Sequence, residues 1–166
     1  MARKDYQKYM KHLSIFLGCV LGLLVFLLAM RQIDEYKLQD DPVLNRLRET
    51  MTTFFSQDKV WTGKLVMLNH RTVMKDINIY RGVKSLTMNK EKVYICCKDS
   101  HGEYYSENML MYVLAHELSH VLSESIGHTQ EFHEIFEDLL VELTDFGVYD
   151  PSQEIIADYC ENGDNS

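Results

Sequence analysis

Eighteen consecutive residues near the start of the chain, Leu13 to Met30, carry no charged side chain. As a helix with a rise of 1.5 Å per residue, this segment reaches about 27 Å, close to the hydrocarbon thickness of a bilayer. Only a helix satisfies all of its backbone groups in that environment. A signal peptide usually has a shorter apolar core and a small-residue cleavage site, whereas this run ends in Leu28-Ala29-Met30. We therefore predict a retained single-pass membrane helix over residues 13–30.

The charges on the two sides of this segment predict its orientation. Four Lys and Arg residues precede it, and only Arg31 and Lys37 follow it within ten residues. The positive-inside rule then places the N-terminus in the cytosol and the rest of the chain across the membrane. Ser14, Gly18 and Gly22 are spaced four apart, as in small-xxx-small helix contacts. The sequence is therefore compatible with a homodimer through Gly18 and Gly22 and with a monomeric anchor.

The chain after the anchor is acidic and long enough for one domain. From Arg31 onward it has 13 Lys and Arg against 24 Asp and Glu, a net charge of −11, with no basic run. Nucleic-acid-binding proteins need a basic face to neutralise phosphates, so a DNA or RNA partner is not expected. About 136 of the 166 residues remain after the anchor, enough to bury one core.

Composition and periodicity divide the chain into five segments. They are a basic tip at 1–12, the membrane helix at 13–30, a polar stalk at 31–41, a folded domain at 42–160 and a polar tail at 161–166. Asp41 followed by Pro42 is typical of a helix start, and helical spacing of apolar residues continues to about Ser56. Segments rich in β-branched and aromatic residues then predict a small antiparallel or mixed sheet. The predicted strands are 64–68, 76–80, 85–88 and 93–98, with a hairpin turn at 89–92.

Two further helices are predicted in the second half of the domain. The first begins after Ser106 as N-cap and extends to Ile126, and its first half is apolar nearly all round, which indicates a core helix. Gly127 suits the left-handed residue that ends it. The second runs from near Thr129 to Gly147 with one apolar stripe. The sequence therefore predicts an α+β fold, a small sheet packed on a buried helix and a second C-terminal helix.

The core helix contains the sequence His116-Glu117-Leu118-Ser119-His120, an H-E-x-x-H motif. Residues four apart lie one above the other on a helix, so His116 and His120 can bind one metal ion. Glu117 is rotated away from the metal, where it can accept a proton from a zinc-activated water. The motif predicts a zinc hydrolase site with Glu117 as general base.

A catalytic zinc site needs a third protein ligand and one open position. His128 follows the glycine break and is the predicted third ligand. Glu131 and Glu134 are alternatives for that role, and both also fit a solvated helix face. His133 is expected at the surface or beside the site, and His70 and His101 in loops. Tyr149 and Tyr159 could donate to a developing oxyanion or could serve packing alone.

The motif-bearing run resembles the WLM/SprT-like zincin metallopeptidases through the letters LMYVLAHELSHVLSESIGHTQEFHEIF. Their pattern is H-E-x-x-H, then a histidine after a short spacer, then an aromatic residue, which here is Phe132. Residues 85–160 look most like predicted membrane-anchored H-E-x-x-H proteins of large DNA viruses. This resemblance implies a zincin fold, zinc held by His116, His120 and His128, and a host or virion membrane. Cellular members of that group are often linked to the cleavage of proteins crosslinked to DNA, a role that the acidic domain of this chain does not favour.

The cysteines leave two arrangements open. Cys96, Cys97 and Cys160 belong to the domain, and they are either free thiols or include one disulfide joining Cys160 to Cys96 or Cys97. The leading hypothesis is a membrane-anchored zinc metallopeptidase that acts on a peptide or protein substrate. The alternative is a non-catalytic membrane or virion protein with a structural zinc, whose closed site needs a fourth ligand such as Cys160 or Glu131.

Overall fold

One long helix, α1 (Ala2–Gln39), begins the computed structural model, which describes residues 2–70, 73–157 and 159. The portion of this helix from His12 to Gln39 is long and apolar enough to cross a membrane, and its most apolar stretch is not buried against the rest of the chain. The predicted stalk at 31–41 is helical as far as Gln39. The helix ends just before Asp41-Pro42, because a residue preceding proline disfavours helical backbone. The chain divides into two compact units, Met1–Lys37 and Leu38–Ser166.

The second unit opens with α2 (Pro42–Phe55), and the predicted N-cap is confirmed. The Asp41 carboxylate accepts hydrogen bonds from Val43 N at 2.9 Å and Leu44 N at 3.3 Å. It is 2% exposed and also accepts from the Tyr104 hydroxyl at 3.2 Å. This buried carboxylate therefore ties the start of α2 to a distant loop as well as capping the helix.

The first predicted strand is wrong. Residues Gly63–His70 form a 3₁₀-helix instead of a strand at 64–68. Leu65 and Leu68 are buried and lie three residues apart, a spacing that places both on one face of a 3₁₀-helix. The Asn69 side chain bonds both the N–H and the C=O of Trp61, at 2.8 and 2.9 Å, which closes the loop before this helix. A short helix, α3 (Val73–Asp76), follows.

The sheet has three strands, β1 (Asn78–Arg81), β2 (Leu86–Met88) and β3 (Lys92–Ile95), in the order β1-β3-β2. β3 is parallel to β1 and antiparallel to β2, so the prediction of a small mixed sheet is confirmed. Asn89 and Lys90 have φ angles of +52° and +57°. Positive φ at both central positions is what a tight hairpin turn requires, and this turn was predicted at 89–92.

Two long helices complete the α+β domain, α4 (Glu107–Leu122) and α5 (Gln130–Asp145). α4 packs against β2, β3 and α5, and Leu110, Leu114 and Leu118 are fully buried. It ends four residues before the predicted Ile126, because Ser123 is extended and its N–H and hydroxyl both donate to Ser119 O. Gly127 has a φ of +86°, as expected, but it lies in the following loop and does not end the helix.

Candidate metal centre

The three predicted metal ligands lie together. His116 and His120 are one turn apart on α4, with ring centroids 5.1 Å from each other. His128, on the loop between α4 and α5, brings its ring to 5.0 Å from His116 and 4.9 Å from His120. One ligand atom from each of the three histidines lies within 4.8 Å of the others.

The spacing of these nitrogens suits a single zinc ion. Zinc–nitrogen bonds of about 2.0–2.1 Å in a tetrahedral arrangement place two ligand nitrogens about 3.3 Å apart. The Nε2 atoms of His116 and His128 are 3.1 Å apart. Within the described residues, no other group of three His, Cys, Asp or Glu side chains converges in this way. The donor set of three imidazoles therefore fits zinc and leaves one coordination position without a ligand from the described part of the chain.

One aromatic side chain packs against all three imidazoles. Phe132, in the first turns of α5, is 1% exposed. Its ring centroid lies 4.9 Å from His116, 4.3 Å from His120 and 4.8 Å from His128. This residue is the aromatic that the zincin resemblance implied. Its contacts restrict the orientation of all three rings.

The environment favours the neutral form of two of the imidazoles, His116 and His120. Burial, followed by the neighbouring His120 and His128, lowers the pKa of His116 to about 4. Burial, then His128 and Lys90, also lowers the pKa of His120. A metal ion binds only neutral imidazole, so these two ligands need release no proton at neutral pH.

Glu117 lies beside the cluster, not within it. Its side chain is 5% exposed, and burial raises the pKa of its carboxyl from 4.5 to about 7, against a lowering by the Thr87 hydrogen bond. The Thr87 hydroxyl lies 2.8 Å from Glu117 Oε2 and 2.9 Å from the Glu117 carbonyl oxygen. A carboxyl group with a pKa near 7 can both accept and donate a proton at neutral pH.

The loop that carries His128 is fastened by two charged side chains. The Glu131 carboxylate accepts hydrogen bonds from Glu124 N at 2.9 Å, Ser125 N at 3.1 Å and the Ser125 hydroxyl. These bonds, that from Glu124 first, lower its pKa to about 2. On the other side, the Lys90 ammonium donates to the carbonyl oxygens of Ser123 and Glu124. Glu131 and Lys90 therefore form a clamp that holds the loop from two sides.

The side of α4 that carries His116 opens into a cleft. Two cavities share Ser85, His116 and Glu117 and have volumes of about 840 Å³ and about 500 Å³. The smaller one lies between β2, the hairpin turn and the His128 loop. β2 pairs with β3 along one edge, and in the described sheet its other edge has no strand neighbour. The cleft therefore runs past the candidate metal ligands, and the free edge of β2 lies beside it.

The alternative ligands are placed elsewhere. The carboxylate of Glu131 accepts hydrogen bonds from the loop backbone. The carboxylate of Glu134 forms an ion pair with Lys64 and accepts a hydrogen bond from Gln130 Nε2 at 2.9 Å. His133 is exposed, with its ring 6.3 Å from that of His128.

The two candidate oxyanion donors differ in position. Tyr149 is 9% exposed in the core, with its ring 6.1 Å from Tyr112. The Tyr159 hydroxyl lies 3.2 Å from Ser85 Oγ and donates to Cys96 O, although the residue also lines the larger cavity. The hydroxyl of Tyr159 is therefore engaged with the sheet.

The bonding state of three cysteines, Cys19, Cys96 and Cys97, is seen in the structure. Cys96 is disulfide-bonded, whereas Cys19 and Cys97 are free thiols. Burial raises the pKa of the Cys97 thiol to about 12, so this thiol is inert at neutral pH. Cys160, the other half of the predicted disulfide, lies outside the described residues.

The sequence patterns did not identify Thr87 or Lys90, and they indicated Glu131 as a ligand or as part of a solvated helix face, not as a residue that fastens the loop. Thr87 alternates with the exposed Leu86 and Met88, so strand periodicity could have placed it on the face toward α4. No local pattern predicts that Lys90 and Glu131 meet the same loop, because their contacts depend on how the hairpin and α5 pack.

The fold and the site define a small α+β domain with a three-histidine candidate metal centre, preceded by an apolar helix. Uncharacterized protein 042R of Invertebrate iridescent virus 3 is 33% identical over 150 residues, 86% of this chain and 94% of 042R. The chain belongs to the family of 042R. Uncharacterized protein 136R of Invertebrate iridescent virus 6 is 41% identical over 105 residues. This match covers 61% of the chain, which spans 59% of the length of 136R.

Both relatives are viral, which supports the expectation of a viral protein. No family model matches the sequence, and no solved structure matches it.

Proposed function

We propose that this chain is a membrane-anchored, zinc-dependent metallopeptidase with a zincin-like domain. The observation that carries the proposal is the convergence of His116, His120 and His128 beside the buried carboxyl of Glu117, at an open cleft. The first three would hold Zn²⁺. Bound there, zinc would supply a Lewis acid that acidifies a water molecule and polarises a substrate carbonyl.

Glu117 moves the proton in this reaction. Its carboxylate takes a proton from the attacking water and gives it to the amine nitrogen that leaves when the peptide bond breaks. A pKa of about 7 before metal binding means that the carboxyl is poised for both steps near neutral pH. The Thr87 hydroxyl, 2.8 Å from Glu117 Oε2, orients the carboxyl group.

The substrate backbone lies along the free edge of β2 in this proposal. A strand edge presents unpaired N–H and C=O groups, so an extended peptide can add to it by main-chain hydrogen bonds. Thr87 lies in the middle of β2 and contacts Glu117, which brings such a peptide beside the proton-transferring group. The domain's acidic charge favours basic or neutral peptides and argues against nucleic acid.

The N-terminal helix supports a membrane location. His12–Gln39 has 28 residues, about 42 Å as a helix, enough for a bilayer with its headgroups. In the proposed arrangement the N-terminus is cytosolic and the domain lies across a host or virion membrane. A disulfide at Cys96 suits an oxidising compartment of this kind.

The test uses the full 166-residue chain purified in detergent micelles. Zinc content and cleavage of a quenched-fluorescent peptide library are measured for the wild type, His128→Ala and Glu117→Gln. We expect about one zinc per chain in the wild type, weakened binding in His128→Ala, and retained zinc without cleavage in Glu117→Gln. No zinc in the folded wild type would overturn the proposal.

The alternative, a non-catalytic protein with a structural zinc, requires a closed set of four ligands. Among the described residues the cluster has three, and Glu131 is bonded to the loop backbone. Zinc binding with no cleavage by the wild type, together with loss of zinc in Glu117→Gln, would favour this alternative, since Glu117 would then be a ligand.

A further inference from the structure

The three-stranded sheet has one face that points away from α4. Side chains alternate between the two faces of a strand, and the Thr87 hydroxyl contacts Glu117 on α4. Its neighbours Leu86 and Met88 therefore lie on the opposite face, and both are exposed. The sheet thus has an inner face beside the candidate metal centre and an outer face that presents apolar side chains to the surroundings.

The outer face bears an apolar cavity with a volume of about 540 Å³. Its apolar lining, the outer patch, consists of Leu38, Val83, Leu86, Met88 and Tyr94. Tyr94 lies directly across from Leu86 in the sheet register. Val83, in the loop before β2, is 90% exposed. A contiguous exposed patch of apolar side chains marks a site that contacts protein or lipid.

Basic side chains border the outer patch. Arg81 and Lys84 line the same cavity, and the Lys92 ammonium lies over the ring of Tyr80, 5.5 Å from its centroid. Residues 77–92 hold four Lys and Arg against one Glu, a net charge of +3, although the chain from Arg31 onward carries −11. The segment that builds the outer face is therefore basic in an acidic domain. Charge attraction directs this face toward a surface of negative groups such as lipid phosphates.

The chain between the apolar run and the outer patch is short. Leu38 follows Met30, the last residue of that run, by eight residues, and α1 is helical over all of them. Eight helical residues span about 12 Å, little more than the headgroup layer of about 5–8 Å on each side of the hydrocarbon. A weak attraction suffices at this range, because a short tether gives the lipid surface a high effective concentration.

We propose that the outer patch docks on the surface of the membrane that anchors the chain. Its apolar side chains enter the boundary between headgroups and acyl chains, and Arg81 and Lys84 reach lipid phosphates. The ring of Tyr94 suits the headgroup level, where tyrosine is enriched. A second copy of the chain is the poorer occupant, because two basic faces repel each other.

Docking in this way leaves the inner face, with Thr87 and Glu117, directed toward the aqueous side. The inference rests on the proposed membrane anchor, and it holds whether or not the domain cleaves peptides.

The test places tryptophan reporters in the full chain, reconstituted in phosphatidylcholine vesicles whose acyl chains are brominated near the headgroup. Val83→Trp reports on the outer patch, and Val141→Trp, at an exposed position on α5, is the matched control. The wild type, whose only tryptophan is the buried Trp61, supplies the background. We expect brominated lipid to quench at least about half of the added fluorescence of Val83→Trp and less than about a tenth of that of Val141→Trp.

A second change tests the apolar contact. Met88→Glu, added to the Val83→Trp chain, should reduce the quenching at least about twofold, because a carboxylate resists entry into the interface and is repelled by lipid phosphates. Val66→Glu, at an exposed position on the 3₁₀-helix, adds the same charge outside the outer patch and should leave the quenching unchanged. Equal effects of the two substitutions would overturn the docking.

Flotation with the vesicles separates the anchor from the docking. A chain that floats while both reporters are quenched alike overturns the docking and leaves the anchor standing. A Val83→Trp reporter that is shielded from aqueous iodide but not quenched by brominated lipid is covered by protein, such as a second copy, and this also overturns the docking. A chain that does not float overturns the anchor, and the docking with it.

Discussion

Replacing Glu117 with glutamine should stabilise the metal-free domain at alkaline pH while abolishing turnover. Glu117 is 5% exposed, and burial raises its pKa from 4.5 to about 7. Below pH 4.5 the carboxyl is protonated in both the folded and the unfolded chain, so it contributes nothing. Between pH 4.5 and 7 only the unfolded chain ionises, and the folded state loses stability at about 1.4 kcal/mol per pH unit.

The full cost is therefore present above pH 7 and amounts to about 3 kcal/mol. Glutamine has the same shape, can accept the hydrogen bond of Thr87 and carries no charge. We expect Glu117→Gln to match the wild type within about 0.5 kcal/mol at pH 4.5 and to exceed it by about 3 kcal/mol at pH 8.

Urea unfolding of the full chain in micelles, with a chelator present, measures this difference. Trp61 is the only tryptophan and is 3% exposed, so its fluorescence reports on the domain. Glu137→Gln, an exposed change on α5, is the matched control and should show no pH-dependent gain. An advantage of Glu117→Gln that does not grow with pH would refute a buried, proton-holding carboxyl. Added zinc should reduce the advantage, because a nearby cation favours the carboxylate.

Three further predictions test the clamp, the carboxyl group and the topology. Glu131→Ala should lower zinc affinity by about 10–100-fold in chelator competition, whereas Glu134→Ala, one turn along the same helix, should leave it within about twofold. Equal affinities for the two variants would show that the clamp does not position His128. The Thr87 hydrogen bond lowers the pKa of Glu117, so Thr87→Val should raise that pKa. The acidic limb of the pH–rate profile should then shift to higher pH. An unmoved limb would contradict the orienting role. A C-terminal tag should resist external protease in sealed microsomes until detergent is added, and a tag cleaved without detergent would reverse the predicted orientation.

Local sequence signals predicted the parts of the fold that depend on neighbouring residues. Asp41 and Ser106 cap their helices as predicted, and the turn at Asn89 and Lys90 joins two antiparallel strands. The apolar run at 64–68 is compatible with a strand or a helix when read from sequence alone. It forms a 3₁₀-helix because Leu65 and Leu68, three residues apart, share one buried face of such a helix, whereas in a strand they would point to opposite faces. Short apolar runs have this ambiguity in general.

The sequence by itself determined which side chains could bind a metal, because H-E-x-x-H on a helix puts two histidines on one face whatever surrounds it. It also determined an apolar helix long enough for a membrane. Only the tertiary structure decided that His128 closes on that face, with its Nε2 3.1 Å from that of His116. The same holds for the contact between Thr87 and Glu117, which lie 30 residues apart in the chain. Such contacts join segments far apart in the chain, and they form only when burial of the core brings α4, α5 and the sheet together.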